Sequence, residues 1–134
     1  MAGETDLDTL IASMRPALDP VTYVWASVEG LPSAGALIDA VATVREPEGL
    51  TLVLPLDAAP RHGLDVEFPC RRITLTVHSS LEAVGLTAAF ARALTDRGIS
   101  ANVVAGFHHD HLFVPVDRAA DAMDALLALA SAEE

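Results

Sequence analysis

The chain has 134 residues, 51% of them hydrophobic and 20% charged, with 19 acidic against 8 basic side chains and a formal net charge of −11. Such a balance belongs to a folded globular protein of one domain's length, or to two very small halves that pack side by side because neither buries enough surface alone, and it excludes disorder. Nucleic acid is not an expected partner: every cation is an arginine, and all but Arg71-Arg72 are scattered, whereas phosphate contacts need a concentrated basic surface.

The first stretch, "MAGETDLDTLIASMRP", reads as a helix over 6–15. It is acidic, has no basic segment leading into an apolar one, and no run in the chain is long enough to cross a membrane, so a cytoplasmic protein without a membrane partner is expected. Strand 22–28 follows, then a helix of barely two turns at 34–39, strands 41–46 and 50–54, a helix at 57–62 and a strand at 65–69. Cys70 is the only cysteine, which forbids an intramolecular disulfide, fits a reducing compartment and reads as a structural thiol. Arg71-Arg72 reads as a solvated strand edge opening strand 71–78.

In "VHSSLEAVGL", Ser79-Ser80-Leu81-Glu82 has the form of a capping box, so a helix is predicted over 82–97 with Gly85 in its first turn. A glycine there costs about 1 kcal/mol against alanine and calls for a reason, either close approach by a ligand or packing by a neighbouring element. On the ligand reading, Gly85→Ala keeps or raises stability while removing binding. The helix carries an apolar stripe of Leu86, Phe90, Ala93 and Leu94 and stops at Gly98-Ile99 in a Schellman-type ending. Strands 100–105 and 111–116 and a helix over 117–130 complete the chain. In the strand before the helix, Ile73, Leu75 and Val77 face the helices and Thr74, Thr76 and His78 the opposite side.

"TLVLPLDAAP" (51–60) lies over "HLFVPVDRAA" (111–120), strand then proline then aspartate then helix in both, with Asp57 and Asp117 read as N-caps. The chain therefore reads as two copies of a β-α-β-β-α unit, the first with an eroded helix. Units of this order make an α+β fold, an antiparallel β-sheet with helices on one face.

The run "ITLTVHSSLEAVGLTAAFARALTDRGISANVVAGFHHDHLFVPVDRAADAMDAL" resembles an ACT domain, the small ferredoxin-like regulatory module that binds amino acids. The whole chain is similar to small stand-alone bacterial proteins built from tandem ACT units. The resemblance implies a degenerate ACT-like half over 1–69 and an ACT domain over 70–134. It also implies a regulatory, non-catalytic sensor of a small molecule, an amino acid above all, and a homo-oligomer, a homodimer by expectation. The ligand-binding residues it implies are His78, Ser79, Ser80, Gly85, Leu86, Asn102 and Val103, with the amides of the helix start beside Ser79 and Ser80 suited to a carboxylate.

Two alternatives remain open at this point. One is a ligand-free dimerisation module that acts on a partner. The other is a metal-dependent enzyme built on "FHHDH", where His109 and His111 lie two apart and Asp110, His78 or His62 would have to complete a ligand set. The same segment also reads as the turn between two antiparallel strands, with Asp110 as a turn residue. No hydrolase elbow, phosphate loop, dinucleotide fingerprint or paired-cysteine motif is present in the sequence, and neither a catalytic residue, a metal nor a cofactor is expected.

Overall fold

The computed structural model describes residues 6–76 and 84–132. Its elements are helix α1 (Leu7–Ser13), strand β1 (Pro16–Val28), α2 (Ala34–Asp39), β2 (Ala42–Glu46), β3 (Gly49–Pro55), β4 (Glu67–Leu75), α3 (Leu86–Thr95), β5 (Asn102–Ala105), β6 (Asp110–Pro115) and α4 (Ala119–Ala132). Short 3-10 turns at Ala59–His62 and Val116–Arg118 precede β4 and α4. Two compact units emerge: Pro20–Cys70, and the chain up to Asp19 together with the chain from Arg71 onward.

In the Pro20–Cys70 unit the strand order is β2-β3-β1-β4, with β1 antiparallel to β3 (Val24 opposite Leu54) and β2 antiparallel to β3 (Thr43 opposite Leu52). With α2 after the first strand and the 3-10 turn before the last, this is the β-α-β-β-α-β order. The core is small: Val24 and Ala26 of β1 and Leu52 and Leu54 of β3 project from one face onto Ala36, Ala58 and Ala59. Alternation along each strand puts those four on the helix side, as a period of two requires.

The other unit repeats the order from different parts of the chain. Here β4, α3, β5, β6 and α4 come from the second half, the strand order is β1-β4-β6-β5, and the beginning of β1 supplies the fourth strand. The Arg15 carbonyl accepts both the Thr76 amide (2.9 Å) and the Thr76 hydroxyl (2.8 Å), and Arg71 Nε donates to the Asp19 carbonyl at 2.8 Å. Ile73, Leu75, Leu112 and Val114 form the sheet side of the core, against Leu86, Phe90 and Leu94 of α3 and Ala122, Ala125 and Leu126 of α4. Leu10, Ile11 and Met14 enter the same core, because α1 packs on α3 and α4. The expected α+β, ferredoxin-like architecture with helices on one face of the strands therefore holds in each unit.

α3 ends as predicted. Gly98 has φ +70°, its amide reaches the Thr95 carbonyl at 2.9 Å, and the Ile99 amide reaches the Leu94 carbonyl at 3.0 Å, while Ile99 and Leu94 meet in the core. Several local expectations need correction. The predicted strands 65–69 and 71–78 merge into β4, interrupted only by Phe68 at φ 57°, which gives the strand a left-handed kink beside Pro69. Asp57 and Asp117 do not serve as N-caps: the first 3-10 turn has Ala58 in the cap position without a side-chain bond, and Asp117 lies inside the second turn. Arg71-Arg72 is not a solvated edge, since β4 lies between β1 and β6 and Arg72 is paired with Asp19 at 3.0 Å.

Leu10 is fully buried although the sequence places it in a polar N-terminal helix. Leu10→Ala should lower the stability of the whole chain by about 2–5 kcal/mol in urea unfolding, as for a buried leucine in a core that cannot collapse around the gap. A loss under 1 kcal/mol would mean that α1 is not part of the core.

Candidate functional site

The connection from β4 to α3 and the strand β5 carry the sequence-predicted ligand residues. His78, Ser79 and Ser80 lie outside the described residues, as does the expected capping box. Val84 and Gly85 are described and are not helical, so α3 begins at Leu86 and not at residue 82. Gly85 is thus the N-cap of α3 and not a residue of its first turn.

The geometry at Gly85 explains why glycine stands there. Its φ is +95°, a conformation that L side chains rarely adopt, and a Cβ built on it would lie 3.0 Å from Leu7 Cδ2 of α1. Both facts are packing and backbone reasons. The expectation that Gly85→Ala keeps or raises stability is therefore corrected, since the helix propensity of alanine does not apply at a left-handed cap.

Of the remaining predicted residues, Leu86 is 3% exposed and belongs to the core, and Val103 is half-buried against it. A ligand near them would meet their backbone and not their side chains. Asn102 opens β5 opposite Phe113 and is exposed. β5 ends the strand order of its unit and pairs only with β6, which leaves one side of its backbone unpaired among the described strands.

The histidine segment forms the β5–β6 connection, where the Gly106 amide donates to the His109 carbonyl at 2.8 Å and Ala105 stands opposite Asp110. His111 lies on β6 with Nδ1 2.9 Å from Thr74 Oγ1, on the strand face opposite the helices. Burial is the main cause lowering the His111 pKa, reinforced by the Arg72 charge, and burial likewise raises that of Asp110. A lowered pKa favours the neutral imidazole, the form that can ligate a metal, whereas the raised pKa of Asp110 works against its carboxylate. Among the described residues no three His, Cys, Asp or Glu side chains converge as metal ligands. Cys70 is buried, its thiol donates to the Tyr23 carbonyl at 3.4 Å, and burial pushes its pKa up to about 11, so it is an inert structural thiol.

In the Pro20–Cys70 unit the corresponding strand-to-helix connection runs from β1 to α2. There Glu29, Gly30, Leu31 and Pro32 face the β2–β3 turn across a cavity of about 710 Å³, bounded also by Arg45, Glu46 and Glu48. The sequence reading passed over this loop because the first half matched its family only by position.

The strand-to-helix connection is thus present in both units, and sequence comparison agrees with the repeat: one ACT domain model matches residues 2–71 and a second matches residues 67–128. The chain belongs to the ACT domain family. No curated protein matches the sequence. Among solved structures, a Vibrio cholerae protein of unknown function, described as a possible transport protein, is 50% identical over 92% of this chain and 95% of its own, with a TM-score of 0.83. An Agrobacterium tumefaciens protein is 21% identical over 87% of this chain and 89% of its own, with a TM-score of 0.74. The ligand-free regulatory subunit of aspartate kinase from Thermus thermophilus is 10% identical over 85% of this chain and 95% of its own, with a TM-score of 0.64. The last two share the ACT fold. ACT domains typically bind amino acids in regulatory roles and are often oligomeric. Among the described residues no helix of this tandem ACT protein is long and apolar enough to cross a membrane.

Gly85→Ala in the ACT unit that contains α3 should lower stability by about 1–2 kcal/mol, the usual penalty for a left-handed non-glycine residue. Pairing it with Leu7→Ala should relieve the part due to the 3.0 Å contact, so that the double mutant is less destabilised than the two single losses added together. Simple additivity would mean that backbone conformation alone demands the glycine.

Proposed function

We propose that this protein is a regulatory sensor that binds an amino acid, without catalysis at that site, at the connection from β4 to α3, and that it works as a cytoplasmic homodimer. The reading draws on the tandem ACT architecture, and one observation carries it: two strand-to-helix connections, β1 to α2 and β4 to α3, each opening a β-α-β-β run of its unit. The proposed contacts are His78, Ser79 and Ser80, the backbone at Gly85 and Leu86, and Asn102 with the backbone of Val103. A left-handed glycine followed by the first amides of α3 suits a ligand carboxylate, since those amides have no partner within the helix. Asn102 has an exposed side chain able to donate and accept, which suits the polar end of such a ligand.

A thermal-shift screen of the full chain against the twenty amino acids tests this. A ligand present at a hundred times its Kd stabilises the native state by about 2.7 kcal/mol, well within detection. One or a few amino acids should raise Tm, and Asn102→Ala should reduce that shift while leaving the unliganded Tm within a degree or two. If no amino acid shifts Tm at millimolar concentration, the ligand-free interaction module replaces the sensor.

A further inference from the structure

A second cluster of reactive side chains lies within the Pro20–Cys70 unit, on elements the amino-acid reading does not use. Ser33 precedes α2, Asp39 ends it, and His62 closes the 3-10 turn before β4. His62 Nε2 is 2.8 Å from Asp39 Oδ2, and His62 Nδ1 is 3.4 Å from Ser33 Oγ. Asp39 also receives Arg61 Nη2 at 3.5 Å.

These contacts define one set of proton positions. A carboxylate can only accept, so Nε2 carries the proton and Nδ1 presents its lone pair toward the serine hydroxyl. The Ser33 oxygen accepts the Ala36 amide at 3.1 Å, which leaves its own proton free to point at Nδ1. The imidazole is held firmly: its side chain is 15% exposed, and its Cε1 lies 2.9 Å from where a Cβ on Gly35 would stand, so glycine at 35 makes room for the ring. Ser33 itself is exposed.

We propose that Ser33, His62 and Asp39 form an acyl-transfer site for activated esters and thioesters, with Ser33 as nucleophile, His62 as general base and Asp39 as the group that fixes the tautomer. Such a trio is recognised by geometry and roles and not by a sequence motif, and it stands here without a hydrolase elbow. The imidazole nitrogens are used in the reverse sense to the most familiar arrangement, which leaves the proton relay intact.

The step balances within the site. As Ser33 Oγ attacks the acyl carbon, its proton passes to His62 Nδ1. The carbon–oxygen or carbon–sulfur bond to the leaving group then breaks, the electron pair leaves with that group, and His62 returns the proton to it. Water, deprotonated by the same nitrogen, then attacks the acyl carbon, the bond from that carbon to Ser33 Oγ breaks, His62 returns the proton to Oγ, and the acyl group leaves as its acid. Oxyanion donors are worth about 10²–10³ in rate, so three side chains acting by themselves suit substrates with good leaving groups and not amides.

The probe is p-nitrophenyl acetate with the full chain, read by intact mass and peptide mapping. One acetyl group should appear on Ser33. Acetylation should disappear in Ser33→Gly, a change that keeps a competent N-cap, and should slow at least about tenfold in His62→Gln and in Asp39→Asn. The wild-type rate should rise with pH and then level off once the general base is unprotonated, a readout that holds even if a variant unfolds. Acetylation confined to other residues overturns the proposal, and so does a Ser33 rate that climbs with hydroxide without levelling or that is unchanged in a folded His62→Gln protein.

Discussion

The pairing of the beginning of β1 with β4 is the constraint on which the unit containing α3 and α4 depends. Its strands β4, β5 and β6 come from the second half of the chain, and without a fourth strand one side of β4 would offer unpaired amides and carbonyls. Residues 15–19 fill that place. The Arg15 carbonyl takes two donors from Thr76, the Asp19 carbonyl takes Arg71, and the Asp19 carboxylate takes Arg72 in a partly buried pair. Once that ladder forms, α1 is tethered beside α3 and α4, and Leu10, Ile11 and Met14 are delivered to the core. The N-terminal segment is therefore structural tissue of the second ACT unit, and a fragment beginning at β4 would lack both a strand and about two turns of core-forming helix.

The same tether reaches the proposed ligand loop. Leu7 lies against Gly85, the residue at which the β4–α3 connection becomes helix. α1 thereby stands beside the first amides of α3, so a ligand seated on those amides would be sensed by α1 through Leu7. This gives the proposed sensor a physical link from a bound small molecule to its N-terminal helix, carried by a contact and a backbone conformation.

Much of this fold was legible in the sequence because its signals are local. Strand alternation identified Ile73 and Leu75 as core residues, the Gly98-Ile99 ending located the stop of α3, and the repeat of "TLVLP" in "HLFVP" matched the third strands of the two units. What was missed depends on distant partners. The first strand was expected to start at residue 22, yet β1 begins at Pro16 because β4 offers it a ladder. Asp57 and Asp117 sat at good cap positions in sequence, but the chain turns there through 3-10 geometry first. The Ser33, Asp39 and His62 group was invisible because its members are 6 and 23 residues apart and meet only through packing of α2 on the 3-10 turn. A glycine inside a two-turn helix was the one available hint.

The central claim, that this tandem ACT protein senses an amino acid at the β4–α3 connection, is tested most directly by a two-dimensional amide NMR titration of the full chain with the twenty amino acids. The account predicts saturable shifts for one or a few of them, concentrated at residues 78–86 and 102–103 and extending to Leu7 and its neighbours in α1. Saturable shifts confined to other parts of the chain, or none with any amino acid at millimolar concentration, would contradict it.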